Sequence, residues 1–522
     1  MFDVEFPGFQ FADEGKRTVN QESSRRQFLV SSLYGLAGSA VLPNVSLAEL
    51  LRFTAADQAR AADSVQTSTT LQVTPRTLEI NGKAANVMGL LQPNGTQGMT
   101  SVVNLPFRVV LENKLTVPTA IHWHGLHPPN TEDGVPGVTQ PVVRPNESLF
   151  YNFPVQPAGT HWMHSHQGLQ EAFLLAAPLI VHESAEPHRD EQEIVILLGD
   201  FSFTPPKEIY AKLHQGGKGM SAMKPGAAMT AGAKSQSASA MNMASGKVDA
   251  NDVDYDAYLA NDHTLSDPEV VKVERGGRVR LRIINGSSGT NFFLDLGTLS
   301  GELIATDGMA VTPVRGTRFP LAIAQRIDVQ VNLPRDGGAF PILALREFAT
   351  EQTGIVLATT GAQVRRLPVK NSAATGLLTL DLESRLSAVQ PLTQKPPAQV
   401  NTLRLQGNMS RYDWLINGQA FDMMNPGTQQ AQVRVKQGQR VALKFVNETP
   451  MSHPMHLHGH SFQVVAINDR PISGALRDTV LVPGRSSVTV AFDANNPGVW
   501  FVHCHVLWHL EAGMATLVQY EA

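Results

Sequence analysis

The sequence predicts an all-β protein built from three related domains, and composition, alternation and an internal repeat point there together. Glycine (42 residues) and proline (33) are plentiful in a chain of 522, while 17% of residues are charged. That balance suits many short strands and turns better than long helices. Apolar and polar residues alternate from Leu71-Gln72-Val73 onward in short runs broken by Gly, Pro and Asn, and no long helical period appears. Sliding the chain against itself aligns the fifteen residues ending at Asn285 (VKVERGGRVRLRIIN) on the fifteen ending at Asn447 (VRVKQGQRVALKFVN) without a gap. A weaker third copy, RVVLEN, ends at Asn113. Three copies imply three domains of one kind, which agrees with a length prior of about three.

Taken in order, the chain opens on an address. Ser24-Arg25-Arg26-Gln27-Phe28-Leu29 is a twin-arginine signature, followed by an apolar stretch to Leu42 and a small-residue site at Ser46-Leu47-Ala48. Residues 1–48 are therefore expected to be a removable signal read by the twin-arginine export machinery, which would place the mature protein in the periplasm or otherwise outside the cytoplasm. The apolar run is too short and interrupted for stable membrane insertion. A net charge of −4 offers no basic footprint for nucleic acid. The expected domains are 68–187, 190–365 and 399–522, with a linker over 366–398.

The asparagines that end the repeats act as a ruler. Nine residues after Asn113 stands His122, in Ile121-His122-Trp123-His124, and nine after Asn447 stands His456, in His456-Leu457-His458. The same offset from Asn285 reaches Leu294, so the middle domain lacks the histidines. Glycine supplies a second ruler: Gly159 precedes His164-Ser165-His166 by five, and Gly498 precedes His503-Cys504-His505 by five. By these offsets Thr119, Ser165, Gln170 and Leu175 of the first domain stand where His453, Cys504, His509 and Met514 stand in the last.

Cys504 is the only cysteine. With His453, His509 and Met514 it supplies the donor set of a blue-copper site, two imidazoles and a thiolate with a weak thioether. A structural zinc site would ask for more cysteines, and a buried thiol packed as a small hydrophobe calls for no flanking histidines. On an extended strand Cys504 faces one way while His503 and His505 face the other, so one strand can serve two metal sites. Removing the blue-copper donors leaves eight histidines, four from each outer domain: His122, His124, His164, His166, His456, His458, His503 and His505. Ten of the chain's 17 histidines fall in these four clusters.

Carried by those motifs from about residue 68 to the end, the chain resembles the three-domain multicopper oxidases of the laccase and ascorbate-oxidase superfamily, and most of all the bacterial exported copper-resistance and laccase-like members. The resemblance implies three cupredoxin-like Greek-key β-sandwiches and four copper ions, one type 1, one type 2 and two type 3. Position by position, it implies His122 and His456 for type 2 copper. It gives His124, His164, His166, His458, His503 and His505 to the type 3 pair, and His453, Cys504 and His509 with axial Met514 to type 1. It implies one-electron oxidation of a small reductant, cuprous ion or a phenol, coupled to four-electron reduction of dioxygen to water, with Asp133 in Glu132-Asp133-Gly134 as proton donor. The rival functions are a non-catalytic copper buffer and a cupredoxin that has shed its metal, and the full ligand set argues against the second.

Two features depart from the family. Residues 216–246 are mostly Gly, Ala, Ser, Lys and Met, a composition that cannot bury a core; they hold Met220, Met223, Met229, Met241 and Met243, five of the 16 methionines, whose soft thioethers select cuprous ion. Leu510 follows the last type 1 histidine where some bacterial relatives carry Glu, which predicts an apolar surround. His127, His161, His182, His188, His214, His263 and His460 lie off the matched positions and are expected to be structural, with His161 and His460 near enough to the clusters to brace them.

Overall fold

The computed structural model describes residues 68–183, 190–215 and 250–521; the expected signal (1–48), the methionine-rich stretch (216–246) and His188 lie outside them. Each third of the described chain is a pair of β-sheets, and the fold is of the cupredoxin-like class. In the first, Lys83–Leu91, Thr69–Ile80, Pro106–Asn113 and Ser148–Pro154 form one sheet, and Met99–Val102, Ala176–His182, Gly159–Ser165 and Ile121–His124 the other. Residues from both faces interdigitate in one core, Leu71, Val109, Phe107 and Tyr151 against Trp123, Met163 and Leu179. Sheets of six and five strands make the middle pair, and sheets of seven and five the last. Among the described residues no helix is long and apolar enough to cross a membrane.

The two rulers have physical causes. Asn113, Asn285 and Asn447 end equivalent strands and are buried, at 0%, 0% and 2% exposure. In each, the side-chain oxygen accepts from the backbone N–H two residues on, of Leu115, Ser287 or Thr449. The amide nitrogen donates to a carbonyl just downstream (Val117, Thr290, Met451) and to the facing segment (Val143, Leu321, and Val482 with Pro483). A buried amide so fully used tolerates no replacement without stranding backbone groups. Gly498 lies at φ +152° with Asn130 2.4 Å from where a Cβ would stand, so a side chain there would collide with the first domain.

Candidate metal centre

The histidine-bearing strands pair in the same register in both outer domains. His122 lies opposite His164 across Ile121–His124 and Gly159–Ser165, as His456 lies opposite His503 across His453–Leu457 and Val499–Cys504. Opposed residues share a face of the sheet, so each domain offers one wall of imidazoles. The alternation expected at the closing strand is present: Cys504 pairs with Met455, not with a histidine, and its sulfur points into the last domain's core.

There Cys504 Sγ lies 3.6 Å from Nδ1 of both His453 and His509, whose Nδ1 atoms are 3.1 Å apart. All three residues are fully buried. Thr449 Oγ1, 2.8 Å from His453 Nε2, turns the other nitrogen of that ring toward sulfur. Met514 is buried beside them, tied through its backbone N–H to the His509 carbonyl and through its own carbonyl to the Cys504 N–H. Trp414 packs on His509 at 3.9 Å between ring centres. Two imidazole nitrogens and a thiol converging in an apolar pocket are the donor chemistry of a blue-copper centre.

On the opposite face the remaining eight histidines gather between the outer domains. His122 and His458 lie 3.8 Å apart by ring centres, as do His124 and His456, so each domain's imidazoles interleave with the other's. Nε2 of His503 is 3.0 Å from His458 Nε2 and 3.4 Å from His166 Nε2. Nε2 of His122, His164, His456 and His505 and Nδ1 of His124 are buried with no hydrogen-bond partner. Each such orphan costs roughly 1–3 kcal/mol, and several converging within 4.8 Å fit a set of imidazole-loving metal ions. Burial first, then mutual repulsion, pushes most of these imidazoles well below the ordinary value, and His503 down to about 3. They are therefore neutral and able to ligate at neutral pH. Burial pushes the Cys504 thiol up, which a bound metal would reverse.

Asp133 lies at this interface, fully buried: Oδ2 is 2.9 Å from His458 Nδ1, its backbone carbonyl accepts from His122 Nδ1 at 2.8 Å, and Oδ1 has no hydrogen-bond partner. Of the histidines set aside, His460 is spent on the His458 carbonyl and the Tyr520 hydroxyl, and His161 contacts the Pro157 carbonyl. Sequence reasoning missed three buried carboxylates. Asp478 Oδ1 accepts from His124 Nε2 at 3.0 Å. Glu171 Oε2 lies 2.8 Å from His164 Nδ1, and burial pushes it well above the usual carboxylate range. Asp252 Oδ2, which accepts from the Tyr412 hydroxyl, lies 2.8 Å from His509 Nε2 without hydrogen-bond alignment. No motif marks these three; the Gly159 ruler places Glu171 only as the counterpart of Leu510.

Three family models, each described as multicopper oxidase, match residues 95–186, 192–365 and 394–522. Multicopper oxidase MmcO of Mycobacterium tuberculosis is 32% identical over 522 residues, covering 98% of this chain and 99% of its own. Copper resistance protein A of Escherichia coli is 25% identical, covering 96% and 99%. Among solved structures, Fet3p, a multicopper oxidase that functions in iron import, shares the fold with a TM-score of 0.71 at 18% identity, over 87% of this chain and 90% of its own. Matched by family across all three sheet pairs, with donor atoms converging in two places, the chain belongs to the multicopper oxidases, copper enzymes that couple oxidation of a reductant to reduction of dioxygen.

Proposed function

We propose that the chain is an exported oxidase taking single electrons from cuprous ion or a phenolic donor, in which His453, Cys504 and His509, with Met514, would hold type 1 copper. His122 and His456 hold type 2 copper, and His124, His164, His166, His458, His503 and His505 the type 3 pair, within domains at 68–187, 190–365 and 399–522 joined by the linker 366–398. When bound, copper supplies one-electron redox chemistry at the first site and dioxygen reduction at the second.

The observation that carries this reading is the double use of one strand end. The Cys504 sulfur belongs to one donor cluster while both chain neighbours, His503 and His505, belong to the other. His503 Nδ1 also donates to the Cys504 carbonyl at 2.9 Å, adding a hydrogen-bonded link to the covalent one. Cys504 and Met514 share one apolar cluster with Trp414, and Leu510 packs in a second with Phe421 and Phe501. Asp133, held between His122 and His458, is placed to hold a proton at Oδ1 within 3.3 Å of His122 Nδ1.

Cuprous ion is favoured as donor by where the methionine-rich stretch is anchored. His214, at the end of Pro206–Gln215, lies 5.3 Å by ring centres from Tyr412, and Asp252, just past the far end of the stretch, contacts His509. The far flank thus meets His509 directly, and the near flank reaches it through Tyr412, whose ring centre lies 6.4 Å from that of His509. Deleting residues 216–246 removes none of the proposed ligands. If the stretch delivers cuprous ion, the deletion should raise the copper concentration for half-maximal oxidation while leaving the blue colour; faster turnover of bulky phenols with unchanged cuprous oxidation would make it a shield and the enzyme laccase-like. Export is tested by changing Arg25 and Arg26 to Lys, which should hold the precursor in the cytoplasm; normal export of that variant would refute the signal.

A further inference from the structure

The middle domain carries none of the cluster histidines, yet one of its side chains grips a carboxylate that contacts them. Arg326, on Arg326–Asn332, is fully buried and touches all three domains. Its Nε donates to the Thr160 carbonyl of the first domain at 3.0 Å. Nη1 donates to the Ala324 carbonyl of its own domain at 3.1 Å and to Asp478 Oδ1 of the last domain at 2.7 Å, and Nη2 closes a second bond to Asp478 Oδ2. Asp307 fixes the start of the arginine by accepting its backbone N–H at 2.9 Å. The space is cut to fit: a Cβ on Gly125, at φ +90°, would stand 2.5 Å from Arg326 Nη2 and 2.9 Å from Asp478 Oδ2.

Asp478 is what Arg326 holds, and its place mirrors that of Asp133. The Asp133 carbonyl accepts from His122 Nδ1 of its own domain, while its carboxylate accepts from His458 of the last domain. The Asp478 carbonyl accepts from His456 Nδ1 of its own domain at 2.8 Å, while its carboxylate accepts from His124 of the first at 3.0 Å. The outer domains thus exchange carboxylates. The difference is the cation: Asp478 is gripped bidentately by Arg326, whereas among the described residues Asp133 has ion-pair contacts with histidine alone.

We propose that Arg326 is the positioning residue by which the middle domain clamps the Asp478 carboxylate against His124 Nε2, so that His124 Nδ1, which has no other partner, is aimed at the three-copper site. The planar fork of arginine meets both carboxylate oxygens; a lysine would keep the charge and one of the two contacts. An aspartate left to rotate would no longer fix which nitrogen of His124 carries the proton, and contacts behind a ligand commonly govern metal affinity. The inference rests on the assignment of His124 as a copper ligand.

The test uses the copper-loaded full chain, with Arg326→Met, Arg326→Lys, Asp478→Asn, the Met/Asn double variant and His124→Ala compared for copper per chain, blue absorbance, dioxygen uptake and thermal midpoint. Arg326→Met should keep full blue absorbance per chain, fall below the roughly four coppers of the parent and lose about tenfold or more in dioxygen uptake. Arg326→Lys should recover most of the copper. Asp478→Asn should lose copper as Arg326→Met does, with no further loss in the double variant, because both break one clamp. The proposal is overturned if Arg326→Met keeps its full copper and uptake, if the two losses add, or if blue colour and cluster copper fall together in both Arg326 variants, as a mere domain staple would require. Should Arg326→Met not fold, Asp478→Asn losing cluster copper while Arg326→Lys keeps it supports the clamp, and the reverse pattern overturns it. Full copper in His124→Ala would instead refute the ligand assignment.

Discussion

The first and last domains fold the same segment around two different pockets. Ser165 N–H bonds the Leu175 carbonyl as Cys504 N–H bonds that of Met514, and His166 N–H bonds the Ala120 carbonyl as His505 N–H bonds that of Pro454. Where the last domain converges His453, Cys504 and His509, the first has Thr119, Ser165 and Gln170. Both hydroxyls donate to Gln170 Oε1 at 2.8 Å, and Gln170 Nε2 donates to the Pro118 carbonyl at 2.8 Å. One scaffold thus ends in a closed set of neutral hydrogen bonds or in an open set of metal donors. The backbone does not choose between them; three side chains do.

The largest effect should come from making the last domain resemble the first. Cys504→Ser replaces the thiolate with a hydroxyl of similar size, so the blue absorption, which requires a copper–thiolate bond, should vanish and dioxygen uptake with it, while the eight-histidine cluster can still take up copper. Absorption spectra and copper analysis on the purified variant check this, and a blue Cys504→Ser protein would overturn the type 1 assignment.

That contrast also explains what could be read from the sequence. The paired domains and the histidine clusters were legible because buried asparagines and a sterically required glycine pin fixed offsets along the chain, so one-dimensional spacing carries three-dimensional information. Thr119, Ser165 and Gln170 could be placed as counterparts of the proposed type 1 donors by the same offsets, though not their mutual bonding. Asp478 and Arg326 were invisible because they act across domains, 152 residues apart in the chain, and no local period relates them. Asp252 was hidden for a similar reason: its partner His509 is brought to it only by the packing of the middle domain against the last.

A second, intermediate effect separates the pockets by acid. Buried neutral imidazoles resist protonation in the folded state, with His503 held near 3 against an ordinary value of 6.5. The unfolded chain therefore binds more protons below that ordinary value, and stability must fall as pH drops from about 6.5 toward 3. Copper-free protein should show this slope in denaturant midpoints. His503→Gln and His164→Gln should each flatten it, whereas Gln170→Leu should leave it unchanged, since Thr119, Ser165 and Gln170 carry no titrating group. An identical slope in all three variants would place the acid sensitivity elsewhere.

The smallest effect belongs to the closed pocket itself. Gln170→Leu preserves volume but removes the acceptor of two buried hydroxyls and the donor to the Pro118 carbonyl. Each stranded group costs roughly 1–3 kcal/mol, though a hydroxyl can turn to another acceptor, so a net loss of about 2 kcal/mol is expected in denaturant unfolding. The blue absorption should not change, because no proposed type 1 ligand is touched. Adding Ser165→Ala and Thr119→Val to Gln170→Leu removes the stranded hydroxyls and should recover part of the loss, as apolar replacement of a whole polar set is commonly near neutral. Recovery would show that the first domain needs this pocket filled and satisfied rather than polar. Failure to recover, with copper content intact, would mean that the three side chains shape the segment carrying His164 and His166 beyond satisfying one another.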